Sequence, residues 1–393
     1  MKTALIWDPA YTRYRFRPDH PFNPKRLELA VSLIEALGLV GTDTEDTAVV
    51  APRPATEEEL LSVHAPEYID AVRRMSQPDA SPRDGWQWGL GTDDNPVFPG
   101  MHDAAALVVG GSVRAAEAVM SGEVQRAFNI AGGLHHAHHA RASGFCIYSD
   151  VGAAIRWMRS AYGARVMYID HDAHHGDGVQ GIFYDDPAVL TVSLHESGRY
   201  LFPGTGFVTE VGEGDGYGYS MNVPLEPFTE DESWLDIHRS LLPELADAFR
   251  PDVIVLVNGV DGHVLDPLTH LRATTRLYEE TVRIVAGIAD KHCEGRIIAT
   301  GAGGYDIWRV VPRAWALVWA ALSGQTARNE IPREWLERWQ GESLHTLPER
   351  LRDTVDEYTP APRRAEIEAV NRRTVEELRR TALPLLRGWG LGF

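Results

Sequence analysis

The stretch Val166-Met167-Tyr168-Ile169-Asp170-His171-Asp172-Ala173-His174-His175-Gly176-Asp177-Gly178 decides how the rest of the chain is read. Its first four residues are apolar or aromatic, as in a strand buried on both faces. The remainder is a dense run of acids, imidazoles and glycines. The same transition recurs along the chain. Candidate strands Ala127–Ile130, Val253–Val257 and Ile297–Thr300 run into Ala131-Gly132-Gly133-Leu134-His135-His136, Asn258-Gly259-Val260-Asp261-Gly262-His263 and Gly301-Ala302-Gly303-Gly304-Tyr305. Further strands are predicted at Ala4–Trp7 and Val189–Leu194. Amphipathic stretches lie between them, at Ala104–Met120, Val151–Ala161, Trp234–Ala248 and Arg272–Lys291. The second follows Ser149-Asp150, a suitable helix N-cap. This alternation predicts an α/β fold, a parallel sheet covered by helices. Ligands bind outside the carboxyl ends of such strands, so four clusters on one sheet edge predict one site.

Composition is that of a globular chain, 44% hydrophobic and 24% charged over 393 residues, enough for one large domain or two ordinary ones. A formal charge of −18 repels phosphate backbones and anionic bilayers, so neither nucleic acid nor a membrane is an expected partner. The start, Met1-Lys2-Thr3-Ala4-Leu5-Ile6-Trp7-Asp8, reads as a first buried strand and not as a signal peptide. Two cysteines, Cys146 and Cys293, cannot form a disulfide framework. A cytoplasmic location is the expectation. From about Gln325 the strand signals stop and Glu, Arg and Pro accumulate. Residues 1–324 therefore read as the main domain, and 325–393 as a charged, mainly helical extension that packs on it or mediates assembly. Within the extension, Ala365–Leu383 predicts a surface helix stopped by Pro384.

Seven of the sixteen histidines fall between His135 and His175. In an extended segment residues i and i+2 point the same way, so Asp172 and His174 can grip one ion together. Asp261 is the natural third donor. Three ligands leave a position for water, the pattern of a catalytic zinc site, whereas a structural site is closed by four. The same donors suit iron, cobalt or manganese. The competing reading, a buried Asp–His hydrogen bond at a strand end, would be preferred for an isolated D-x-H. It gives way here to the convergence of clusters. Hydrolysis also needs a base for the water and an acid for the leaving amine. His135 and His136 can supply these, each oriented by a carboxylate, with Asp170 and Asp177 available. His138 and His139 are expected to be solvated. Tyr305, after its glycine run, can place a phenol O–H on an oxyanion.

The segments A-G-G-L-H-H-A, A-S-G-F-C, D-H-D-A-H-H-G-D-G, T-V-S-L-H, F-P-G-T-G, V-D-G-H-V-L-D-P-L and G-A-G-G-Y resemble, in order, the histone deacetylase superfamily, broadly its class I pattern. The likeness runs from His20-Pro21 to about Leu322. In the tail, Ile331-Pro332-Arg333-Glu334-Trp335 and Asn371-Arg372-Arg373-Thr374-Val375 resemble the extension of bacterial acetoin-utilisation deacetylases. The resemblance implies an arginase/deacetylase-like three-layer fold with an eight-stranded, mainly parallel sheet. It implies zinc on Asp172, His174 and Asp261, His136 as principal base and acid, His135 as its electrostatic partner, and Tyr305 as the carbonyl-polarising tyrosine. Asp170 and Asp177 match the carboxylates behind the histidines. Gly144, Phe145 and Phe202 match the walls of an acyl-lysine tunnel, Asp94 its rim aspartate, and Arg26 an arginine near an internal acetate exit. Potassium sites are implied at Asp170, Asp172, His174, Ser193 and Leu194, and near Phe183, Asp186, Val189 and Tyr219. His171 and the run Asp261-Gly262-His263 to Asp266-Pro267 depart from the class I pattern. Cys146 reads as core packing.

The expected activity is hydrolysis of acyl-lysine, above all acetyl-lysine, in proteins, with acetyl-CoA synthetase a candidate partner by resemblance. Small acetylated amines such as acetylpolyamines are the alternative substrates, and longer acyl groups remain open. At the position of a polyamine-selective gatekeeper stands Leu268, whose neutral side chain favours lysine. An arginase-like two-manganese enzyme would need further carboxylates, and a silent acyl-lysine reader would not need the full set of ligands, base and tyrosine.

Overall fold

The computed structural model describes residues 2–41, 46–354 and 357–388. Eight strands form one sheet: β1 (Thr3–Ile6), β2 (Thr47–Val50), β3 (Arg126–Asn129), β4 (Val166–Asp170), β5 (Val189–Glu196), β6 (Ser220–Leu225), β7 (Val253–Val257) and β8 (Ile297–Thr300). Their order is β2-β1-β3-β8-β7-β4-β5-β6, and every adjacent pair is parallel. The four strands that lead into the polar clusters are therefore neighbours at the centre. Register aligns Asn129 with Thr300, Thr300 with Val257, and Val257 with Asp170, so the clusters leave the sheet from one straight row.

The inner strands read as unbroken apolar runs because helices cover both faces. Val253–Val257 is fully buried, as is the helix Val311–Leu322, which carries Trp315 and Trp319 into the core. The two strands without a sequence signal are the edges. Strand β2 is half exposed, and β6 carries polar residues and Pro224, tolerated where one side of the ladder is free. The helix expected at Arg272–Lys291 starts instead at Thr275. Thr274 caps it through its side chain, while Arg272 and Ala273 bridge to Glu230 and His263.

The tail lies against the domain. Helix Arg333–Gln340 buries Trp335 and Trp339, and Lys25 stacks 4.9 Å over the Trp339 ring. Helix Arg364–Thr381 packs on β6 and on the helix Asp231–Phe249. The surface helix expected over Ala365–Leu383 ends at Thr381, shortly before Pro384. That proline sits near the start of a short helix, Leu383–Leu386, where its missing N–H is no loss. Asn371, 1% exposed, pins the long helix to the loop after β6. Its amide accepts from Glu226 N at 3.0 Å and donates to Thr229 Oγ1 at 2.8 Å and Ser233 Oγ at 3.0 Å. Asn371→Ala leaves those groups without their partner and is expected to cost about 2 kcal/mol in urea denaturation.

Candidate active site

Asp172 and His174 do not meet as neighbours on an extended strand. The chain turns sharply after β4, with Asp172 N–H donating to Asp170 Oδ1 at 3.0 Å and His174 N–H to Asp172 Oδ1 at 2.9 Å. Aspartates favour such side-chain turns, and two in succession fold the cluster back on itself. His174 Nδ1 then lies 3.1 Å from Asp172 Oδ1 and 2.9 Å from Asp261 Oδ2. The three donors lie within 4.8 Å of one another and are buried, the one such group of His, Cys, Asp and Glu among the described residues.

This geometry fits a divalent cation. Burial resists charging His174, yet Asp172 and Asp261 hold its pKa well above the usual imidazole value, so a proton sits where a cation would. Burial and the charge of Asp172 push the Asp261 carboxyl up. Backbone amides take the outer lone pairs: Gly303 N–H donates to Asp172 Oδ2 at 2.7 Å and Ala173 N–H to Asp261 Oδ1 at 2.9 Å. Glycine is required for that approach. A Cβ on Gly303 would stand 2.1 Å from Asp261 Oδ2, and one on Gly259 2.0 Å from Asp172 Oδ2.

The two histidines after β3 each back onto an acid. His135 Nδ1 lies 2.7 Å from Asp170 Oδ2, and His136 Nδ1 lies 2.7 Å from Asp177 Oδ1. With Nδ1–H given to a carboxylate, His135 turns Nε2 to within 3.8 Å of Asp172 Oδ1, and the His136 ring stands 5.9 Å from that of His174. Their surroundings drive the two apart. Burial alone would depress His135, but Asp170 and Asp172 outweigh it and hold its pKa at about 9. For His136, burial and the charge of His135 prevail over Asp177, and its pKa falls to about 4. The pair is thus a neutral His136 beside a charged His135. Tyr305 is raised well above the usual phenol value by burial and then by Asp261 and Asp172, so it keeps its proton as a donor.

Gly144 lets the backbone press against these groups: a Cβ there would lie 2.4 Å from His136 Cδ2 and 3.0 Å from Phe202 Cε1. The Phe202 ring stands 5.0 Å from that of His136, and Phe145 lies edge-on to Tyr305 at 5.8 Å. Leu268 is half-buried, on the loop whose Asp266 accepts from both Leu268 N and Tyr305 N. Asp94 is exposed and its carboxylate makes no hydrogen bond among the described residues, whereas Asp93 pairs with Arg17. Arg26 is buried under Tyr305, donating to Gly304 O at 3.1 Å and stacked between Phe22 and Trp315. Asp170 and Ser193 are register partners on adjacent strands, with Leu194 next in line. Phe183, Asp186 and Val189 form successive turns, with Asp186 N–H donating to Phe183 O and Val189 N–H to Asp186 O, and Tyr219 O accepts from Thr191 N.

Two participants escaped the sequence reading. Asp150, beside the expected N-cap Ser149, is wholly buried and accepts from Gly133 N at 3.0 Å and Leu134 N at 2.7 Å, fixing the loop that carries both histidines. The aligned Ser-Asp pair masked it as a simple cap. His138 is not purely solvated, since its Nε2 lies 3.3 Å from Asp177 Oδ2, whereas His139 is exposed. His171, which departs from the family pattern, is fully buried and neither ring nitrogen finds a partner among the described residues.

Residues 20–322 match the model of the histone deacetylase domain. The chain belongs to that family and is a deacetylase of it. Relatives include the acetoin utilization protein AcuC of Bacillus subtilis (strain 168), 50% identical over 95% of this chain and 96% of its own length. AcuC of Staphylococcus aureus (strain MSSA476) is 42% identical over 95% of both chains. An HDAC homolog from Aquifex aeolicus has a solved structure that superposes with a TM-score of 0.84 at 32% identity, over 95% of this chain and all of that one. An HDAC homolog complexed with SAHA superposes equally well. No helix among the described residues is long and apolar enough to cross a membrane.

Two expectations follow from the site. Gly303→Ala should abolish tight retention of a divalent metal, measured by elemental analysis after dialysis, while the far-ultraviolet spectrum stays unchanged. Metal-free protein should lose stability in acid. Burial depresses His64 and His238, like His136, to about 4. The unfolded chain takes up those protons near pH 6.5. The folded state binds fewer protons in that window, so stability present above pH 6.5 is lost as pH falls to about 4. His171, at about 3, and His195 act in the same sense, while the raised carboxyl of Asp231 at about 6 opposes them, and the denaturation midpoint against pH should show a net uptake of protons on unfolding there. His135 acts in the opposite sense, its contribution lost as pH rises through about 9.

Proposed function

We propose that this protein hydrolyses Nε-acyl-lysine in protein substrates, acetyl-lysine above all, with zinc on Asp172, His174 and Asp261. The observation that carries the reading is the pair of imidazoles, each tied to its own carboxylate at 2.7 Å, beside a buried three-donor cluster. Bound there, zinc acidifies a water and polarises the acyl carbonyl. The protein does the rest. His136 takes the proton of the attacking water, and Asp177 steadies the imidazolium that forms. Tyr305 donates its phenol hydrogen to the developing oxyanion. Charged His135 adds positive potential beside it. As the C–N bond breaks, His136 returns the proton to the lysine amine, and the acid that keeps the water oxygen gives its remaining proton to the amine and leaves as acetate.

The substrate assignment rests on Phe145 beside Tyr305 and Phe202 beside His136, whose apolar faces would suit the four methylenes of lysine. The neutral Leu268 offers no charge to an acetylpolyamine, and Asp94 stands free to accept from a substrate backbone. Similarity to AcuC proteins supports an acetylated protein as partner, acetyl-CoA synthetase among the candidates. Potassium at the two carbonyl-rich turns would steady Asp170 and the β4 end. The absence of a cysteine framework favours a cytoplasmic setting. Residues 1–324 serve as the catalytic domain, with 325–393 as its extension.

A panel of acetyl- and longer acyl-lysine peptides plus acetylspermidine, with and without a hydroxamate chelator, tests the reading. Hydroxamate-sensitive release of free lysine from the acetyl peptide is expected. Preference for acetylspermidine would overturn the substrate class. His136→Ala and Tyr305→Phe should each lower kcat by about a hundredfold to a thousandfold while metal content is kept. Near-normal turnover in either would remove that residue from the mechanism.

A further inference from the structure

Asp353 lies beyond the residues that match the family domain, in the extension. Its carboxylate is nonetheless 0% exposed, wedged beneath the loop that follows β7. Oδ2 takes His263 Nε2 at 2.9 Å and Thr275 N–H at 2.8 Å, and Oδ1 takes Arg313 Nη1 at 2.7 Å. Asp353 N–H returns a bond to Thr275 Oγ1 at 2.9 Å. The other nitrogen of the imidazole, Nδ1, accepts from Leu265 N–H at 3.1 Å, so the hydrogen on His263 sits on Nε2 and points at Asp353.

His263 is two residues from the ligand Asp261, and its backbone is the hinge of the loop. Asp266 N–H donates to His263 O at 2.8 Å, and Asp266 Oδ2 in turn accepts from Tyr305 N–H at 2.8 Å. Hydrogen bonds through His263 and Asp266 thus link Asp353 to the backbone of Tyr305, and two residues of backbone join His263 to Asp261. A buried carboxylate is costly unless fully partnered, and this one has a cation, an imidazole, a backbone amide and the Tyr358 hydroxyl. Packing alone would not call for it.

We infer that Asp353 of the C-terminal extension is a positioning residue, which through His263 fixes Asp261 and Tyr305 in their working geometry. The inference rests on the metal reading of the Asp172, His174 and Asp261 cluster. It assigns the extension a part in the site itself, completing it from a region outside the family domain.

The test uses the full chain and three variants: Asp353→Asn, His263→Leu and Arg352→Ala. Arg352 is the control. It anchors the same segment through a two-pronged pair with Glu279 at 2.7 and 2.6 Å, away from the loop. Zinc affinity is read by chelator competition, cobalt-substituted protein by its visible spectrum, and stability by Tm. Asp353→Asn and His263→Leu should weaken zinc binding by about 10- to 100-fold, shift the cobalt bands and lower kcat with KM little changed. Arg352→Ala should lower Tm and leave zinc affinity unchanged. If Asp353→Asn fails to fold, His263→Leu decides, since it keeps the Asp353–Arg313 pair. Zinc affinity within twofold of the parent in His263→Leu, or an equal loss in Arg352→Ala, would overturn the inference. A parent protein that binds no zinc would instead overturn the metal reading beneath it.

Discussion

Two carboxylates, Asp172 and Asp261, are buried within reach of one imidazole at the carboxyl end of a parallel sheet, and the surrounding structure is shaped by the need to hold them there. Like charges out of water repel and resist ionisation. Backbone amides, close glycine contacts and a charged His174 offset part of that cost. The arrangement is one that a fold maintains to receive a cation, not one that stabilises it.

The same crowding separates the roles of His135 and His136. The two rings are 4.0 Å apart and both are buried, so they cannot both be charged. Asp170 and the nearby Asp172 favour the proton on His135, and that proton then disfavours one on His136. A base kept neutral by a charged neighbour follows from position alone. A cation between Asp172 and Asp261 would cancel part of the Asp172 field and so ease the contrast.

The extension gives the site a second layer of constraint. Its helix Arg364–Thr381 sits on the β6 edge, which would otherwise present an unpaired ladder, and its Asp353 reaches the loop after β7. Edge cover and loop anchoring are thus served by one stretch of chain.

The sequence by itself determined the inner strands and the polar clusters at their ends, because buried parallel strands are written as continuous apolar runs. The eight-stranded sheet was legible only through resemblance, since β2 and β6 carry edge compositions with no strand signal. Tertiary structure alone decided the rest. The succession of aspartate turns that brings Asp172 to His174, the burial of Asp150 behind a capping serine, and the pairing of Asp353 with His263 depend on contacts between distant segments. No local pattern encodes them: a carboxylate's partner is set by which loops the sheet order places side by side.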